Sequence, residues 1–308
     1  MRILLTGASG FVGRNVLLRA PVDWEIVALY SNDQSFPGFV SALNRPNFTA
    51  CQVDLRSTQE ITAAFARYGT DWDCCLYLAA KVDIPWSVQN PKDDLIFNTL
   101  SLLNLLETIK VDRFVYMSSG AVYDGLQGEV DSSCPVYPTL PYAISKLTSE
   151  EYVRTFCLRR KTIARHTIVR FFGAYGPYEA SHKIYGRLVR RFGIERNSSY
   201  ELYGDGSNLI DAMYIDDAVD ALLLIANDPH DTTLDLAGGH PISIEELVRQ
   251  AAQVFGITAL RIQKSGIAHE SNSFWGSTRG MYERYGYKTR VDLAEGLRRF
   301  RKFMLESS

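Results

Sequence analysis

An apolar run, Ile3-Leu4-Leu5-Thr6, leads straight into Gly7-Ala8-Ser9-Gly10-Phe11-Val12-Gly13, and no other stretch of the 308-residue chain limits its fold so tightly. The run reads as a buried strand, and the residues after the turn read as the start of a helix. In that context Gly7 permits the tight turn, Gly10 lets the backbone approach a pyrophosphate, and Gly13 allows close helix–strand contact. The free N–H groups of the helix start would then face the phosphates. The plainer alternative is a tight strand–helix connection that binds nothing.

The first half of the chain repeats this alternation. Ile3 to Thr6, Glu25 to Leu29, Thr49 to Val53, Cys74 to Ala79, Arg113 to Ser118 and Thr167 to Phe171 lack polar alternation, as strands covered on both faces do. Helical stretches lie between them, notably Asn98 to Ile109 and Tyr142 to Phe156. The pattern predicts an α/β fold: a Rossmann-like, doubly wound parallel sheet with a smaller α/β C-terminal substrate lobe. Residues 1–170 form the dinucleotide-binding domain, with later strand segments, about 207–236, returning to it. Residues 171–308 form mainly the substrate lobe, interleaved with the first. There a helix starts near Asp216, and Ser243-Ile244-Glu245-Glu246 reads as a capping box.

Composition narrows the partners. Thirty-three basic against 35 acidic residues leave a formal charge of −2, so nothing in the bulk electrostatics favours nucleic acid or an anionic membrane. No apolar run approaches the roughly 18 residues of a membrane span, and the N-terminus does not read as a secretory signal. Five cysteines without a CxxC pair, and five scattered histidines, give no zinc-site spacing. A reduced cytoplasmic protein without a metal is expected.

Two further stretches carry chemistry: Ser118-Ser119-Gly120-Ala121-Val122-Tyr123 and Tyr142-Ala143-Ile144-Ser145-Lys146. Alone, a Tyr and a Lys at i and i+4 describe an ordinary helix face. A phenol with a pKa near 10 is a poor base at neutral pH, but a lysine one turn away favours the phenolate. Such a pair can exchange a proton with a substrate oxygen as hydride moves. Together with the G-x-x-G-x-x-G turn, Asp54-Leu55, Leu78-Ala79-Ala80, Asn98, Arg170-Phe171-Phe172, Tyr175-Gly176-Pro177, Gly204-Asp205-Gly206 and Tyr214-Ile215-Asp216-Asp217, they resemble the extended short-chain dehydrogenase/reductase family. The resemblance runs nearly end to end, within the NAD-dependent epimerase/dehydratase branch that modifies nucleotide-activated sugars.

The resemblance implies a catalytic set of Ser119, Tyr142 and Lys146. Matching on Val122-Tyr123 selects Ser119 over Ser118, and Lys146 also holds the nicotinamide ribose. The implied cofactor contacts are Gly7, Gly10, Phe11, Val12, Gly13, Ser31, Asn32, Asp54, Leu55, Leu78, Ala79, Ala80, Asn98 and Phe172, with Tyr142 and Lys146. Asp54 could instead be a turn carboxylate, and Asn98 a helix cap. The cofactor is NAD or NADP. A carboxylate at the end of the second strand would select NAD, yet Tyr30 stands there, and Arg14 could reach a 2′-phosphate.

The implied substrate is a nucleotide-activated sugar, bordered by Asp83, Trp86, Ser87, Ser119, Gly120, Gly173, Arg187 and Arg279. Ser119-Gly120-Ala121 lacks the acid that a 4,6-dehydratase uses to eliminate water. The resemblance at Ser119-Gly120-Ala121-Val122-Tyr123 implies first an NDP-hexose 4-epimerase working through a 4-keto intermediate. An NADPH-dependent NDP-4-keto-6-deoxyhexose reductase comes second, and an oxidoreductase for a non-nucleotide alcohol or ketone third. Three departures weaken the diphosphate site: Ile210 replaces the family's arginine, no arginine is evident near His269, and Gly173 replaces an asparagine. The family's helical seam, here Asn98 to Ile109 with Tyr142 to Arg154, implies a homodimer.

Overall fold

Apolar β1 (Arg2–Thr6), β2 (Glu25–Tyr30), β3 (Phe48–Gln52), β4 (Asp71–Tyr77) and β5 (Lys110–Ser119) form most of a seven-stranded sheet. The computed structural model describes residues 1–228, 231–266 and 273–307. The strand order is Thr232–Leu236, Ile163–Phe171, β5, β4, β1, β2, β3, and the pairings from β3 through to Ile163–Phe171 are parallel. Leaving β1 the chain winds to β2 and β3, then returns to β4 on the other side. The order therefore switches at the carboxyl ends of β1 and β4, the place where open sheets of this kind take ligands. Strand interiors such as Ile3, Leu4, Leu5, Ile26, Cys74, Cys75, Leu76 and Phe114 are buried, which is why they carry no polar alternation.

The chain divides into two compact units. One comprises Met1–Asp124, Pro135–Phe171 and Val219–Leu234; the other comprises Gly125–Cys134, Phe172–Ala218 and Asp235–Ser308. The second unit contains a parallel pair that sequence reading did not anticipate, Gln127–Val130 beside Ser273–Gly276. It also joins two of the motifs, because Ala174 and Tyr175 pair in parallel with Met213 and Tyr214. Gly204 and Gly206 have φ of +83° and +80°, and Asp205 Oδ1 accepts from the Ser207 backbone at 2.9 Å, so this motif is a side-chain-locked turn.

Two helical expectations change. The stretch expected as Asn98 to Ile109 begins earlier, at Pro91, and runs through a π-turn at Ile96–Leu100 to Leu106. Proline at the first position starts it there, so Asn98 lies inside the helix and is no cap. At Ser243 half of the box forms: its hydroxyl accepts from Glu246 N–H at 3.2 Å, while Glu246 accepts from Gln250 instead. Among the described residues, no helix is long and apolar enough to cross a membrane.

Candidate active site

The Gly7 turn closes at the end of β1. Gly7 has φ +63°, and a Cβ there would lie 2.8 Å from Ala79 N. A Cβ on Gly13 would overlap Gly7 O and sit 2.6 Å from Ala8 Cα. Gly10 differs: its Cβ would meet only Gly7 O, at 3.2 Å, so the backbone is open on that side. It caps α1 (Phe11–Arg19) with no side-chain hydrogen bond and no acid in the first turn. Phe11, Val12 and Gly13 thus begin a helix whose N-terminus suits an anion. Thr6 Oγ1 accepts from the N–H groups of Leu78 and Ala79, both at 3.1 Å, fixing the adjacent end of β4.

Tyr142 and Lys146 stand one turn apart on the helix Pro141–Thr155, both buried. The Tyr142 phenol lies beside Ser119, whose hydroxyl accepts from Ala121 N–H at 3.1 Å. Burial pushes the phenol up to about 12, Ser119 opposes this, and Asp94 adds to it. Lys146 Nζ donates to Met117 O at 2.6 Å. Burial draws its pKa down to about 7, against the pull of Glu150 and Asp94. The lysine is thus poised near neutrality, whereas the phenol is not. Ser118 faces the other way, donating to Glu150 Oε1 at 2.6 Å, so Ser119 alone of the pair meets the phenol.

Behind these groups lie two fully buried acids. Glu150 takes Arg170 bidentately, at 3.1 Å from Nε and 2.9 Å from Nη2, and Arg170 Nη1 donates to Tyr123 OH at 3.0 Å. Asp94 accepts from Asn98 at 2.8 Å and from Ser145 at 2.7 Å. Asn98 in turn clamps the Lys81 backbone, accepting from its N–H at 2.9 Å and donating to its carbonyl at 3.2 Å.

Other expected contacts are engaged within their own units. Ser87 is fully buried; its hydroxyl donates to Ile84 O at 2.7 Å and accepts from Tyr142 N–H at 3.3 Å, so it reaches the site through Tyr142. Asp83 caps a short helix through Trp86 N–H at 3.0 Å. Trp86 lies under Lys81 Nζ, 5.0 Å from the ring centre. Asp54 pairs with Arg56 at 2.6 Å, a turn carboxylate in this state, and Leu55 is in the core. Gly120 is buried, and Ala79, Ala80, Ser31 and Asn32 keep partial or full exposure. In the second unit, Phe172 packs edge-on to Phe274. Gly173 has φ +123°, which explains glycine there. Arg187 is exposed, Arg279 is exposed and pairs with Glu283 at 3.0 Å, and His269 lies outside the described residues.

Residues 3–236 match the model of the NAD dependent epimerase/dehydratase family. The chain belongs to that family. It is thus an enzyme of the extended short-chain dehydrogenase/reductase type, in an NAD-dependent group. It is 25% identical over 311 residues to the uncharacterized UDP-glucose epimerase YtcB of Bacillus subtilis, covering 96% of each chain. It is 26% identical over 233 residues to the dTDP-D-glucose 4,6-dehydratase of Mus musculus, covering 73% of this chain and 64% of that one. The fold is also that of the UDP-glucuronic acid 4-epimerase from Bacillus cereus, solved with UDP-glucuronic acid and NAD, at TM-score 0.86, 21% identity and 100% of both chains.

Within this epimerase/dehydratase-family enzyme, sequence reading missed Asp94, Glu150 and Asp33. The first two sit at helical spacing from Asn98 and Lys146, and that i, i+4 signal could have found them. Asp33 lies three residues past Tyr30. Its Oδ2 accepts from Arg14 Nη2 at 2.7 Å, and Arg14 Nε holds Ser9 O at 3.0 Å. Burial works against the Asp33 carboxylate, yet Ser35 and Arg14 hold it below its ordinary pKa.

Proposed function

We propose that this enzyme is an NDP-hexose 4-epimerase, with Tyr142 as the acid/base at the C4 oxygen. The observation that carries the reading is Tyr142 beside Ser119 with Lys146 one helical turn on, together with Gly120-Ala121, where no acid is available for elimination. The match across nearly all of a UDP-glucose epimerase, against a shorter match to a dehydratase, supports it. The open Gly10 backbone and the uncapped start of α1 fit a dinucleotide pyrophosphate. When bound, NAD supplies reversible acceptance of a hydride from C4. This chain's residues do the rest. Ser119 orients the sugar oxygen, the Tyr142 oxygen takes and returns its proton, and the Lys146 ammonium lowers the cost of the phenolate. Residues 1–170 with the returning segment hold the dinucleotide, and the remainder, with Gly173, Arg187 and Arg279, takes the nucleotide sugar.

The Arg14–Asp33 pair bears on the cofactor. Arg14 is already neutralised, so it has little charge to offer a 2′-phosphate, and Asp33 serves as the ribose-side carboxylate that Tyr30 cannot be. NAD is therefore favoured. Incubation with UDP-glucose, UDP-N-acetylglucosamine and UDP-glucuronate in turn, followed by NMR at C4, should show an equilibrating epimer without net change in cofactor. Net NADPH oxidation on a 4-keto-6-deoxy sugar nucleotide would instead establish the reductase. Failure of every nucleoside diphosphate to raise the melting temperature would favour a non-nucleotide substrate.

A homodimer is part of the same proposal. Leu95, Leu100, Ile144 and Tyr152 stand 39–47% exposed on the helical stretches 91–106 and 141–155, apolar surface that a second copy would cover. Leu100→Glu with Ile144→Glu should give a monomer by sedimentation.

A further inference from the structure

At the amino end of the strand Ile163–Phe171, three side chains far apart in sequence converge. Cys157, His166 and Asp231 bring one ligand atom each within 4.8 Å of one another. His166 Nδ1 is 3.1 Å from Asp231 Oδ1, and Cys157 Sγ is 3.9 Å from the same oxygen. Tetrahedral zinc with ordinary bond lengths would set such N–O and S–O edges at about 3.3 and about 3.6 Å, close to the distances these two edges already have. His166 Nδ1 is buried without a hydrogen bond of acceptable geometry despite its nearness to the carboxylate. Burial keeps the imidazole below its ordinary pKa, with Asp231 pulling the other way and Arg154 reinforcing the fall; a neutral ring has a lone pair to offer.

We propose that Cys157, His166 and Asp231 form a binding site for a single zinc-class divalent cation, outside the catalytic machinery. Binding replaces the thiol proton, which leaves to solvent, with the metal–sulfur bond; thiolate and carboxylate then neutralise the dication. Asp231 is half exposed, so water completes the tetrahedron. The cations closest by oppose binding least where they are already held: Arg154 is paired with Glu150 and Glu151. Lys161 stays near Cys157 and favours the thiolate, against burial and Asp231. The ion would tie three elements: the turn Phe156–Arg160 that ends the Tyr142 helix, the strand that carries Arg170, and the residue before the edge strand Thr232–Leu236. The spacing 157, 166, 231 follows no sequence motif, which is why the cysteine and histidine pattern predicted no metal.

The test is Co2+ titration of the reduced, chelator-treated full chain. One equivalent should produce a thiolate charge-transfer band and tetrahedral d–d bands, displaced by Zn2+. Cys157→Ser should abolish the charge-transfer band. His166→Gln and Asp231→Asn should weaken binding at least about tenfold. Zn2+, but not Mg2+ or Ca2+, should raise the melting temperature of the parent and not of Asp231→Asn, whose exposed side chain keeps the fold safe. Absence of the band, its survival in Cys157→Ser, or an equal Zn2+ shift in parent and Asp231→Asn would overturn the site.

Discussion

Two buried acids of the first unit and two largely buried acids of the second are held differently. In the first unit Asp94 and Glu150 have hydrogen bonds to both oxygens, from Asn98, Ser145, Ser118, Arg170 and Arg154. In the second, Glu179 and Asp211 each keep one buried oxygen without a hydrogen bond. Burial pushes Glu179 up to about 8, with Lys183 opposing. It also raises Asp211, against backbone donors that include His240 N–H at 3.0 Å. A satisfied buried network locks geometry. An acid left short retains the capacity to meet a ligand or a proton. Asp211 directly follows Ile210, where the family resemblance leads one to expect an arginine, so the shortfall sits beside a departure from the pattern.

The sharpest way to probe the first region is Tyr142→Phe. Turnover should fall about 10³-fold while dinucleotide affinity, read by titration, moves only a few-fold; equal turnover would remove Tyr142 from the chemistry. Glu150→Ala comes next, because it strands the Arg170 charge in the interior. Urea unfolding should show a loss of about 3–5 kcal/mol, and a loss below 1 would mean that the pair is not holding the site. Gly13→Ala should cost about 2 kcal/mol by overlap with Gly7 and Ala8. Gly10→Ala should leave the melting temperature unchanged and weaken the dinucleotide about tenfold; if the two variants behave alike, the division of labour in the turn is wrong.

The last test belongs to the second region. A carboxyl raised from 4.5 to about 8 in the folded state binds more protons there than in the unfolded chain, so its contribution to stability falls as pH climbs from about 4.5 to 8. Glu179→Gln removes that slope. The variant should match the parent most closely below about pH 4, where the carboxyl is protonated in both states, and be the more stable of the two near pH 8. Parallel pH curves would mean that Glu179 is already paired in solution.

Much of this was legible in the chain. The strand runs and the glycine turn carry their reasons locally, in periodicity and in positions only glycine fits, and Tyr142 with Lys146 shares one helix face. What was not legible depends on distance in sequence. Glu150 matters because Arg170 and Ser118 arrive from two strands, and Arg14 is claimed by an aspartate from beyond β2. Asn98 reads as a helix start from the apolar pattern alone, but Pro91, seven residues earlier, sets the true one.

The pairing of Gln127–Val130 with Ser273–Gly276 has a consequence for synthesis. The ribosome delivers the first strand well before the second; at about 5–20 residues per second the wait is roughly 7–30 s. Throughout that interval a strand edge has no partner, the condition under which nascent chains stick to one another. Its brevity, the glycine at 128 and the charge of Glu129 are the features that keep such an edge unattractive while it waits.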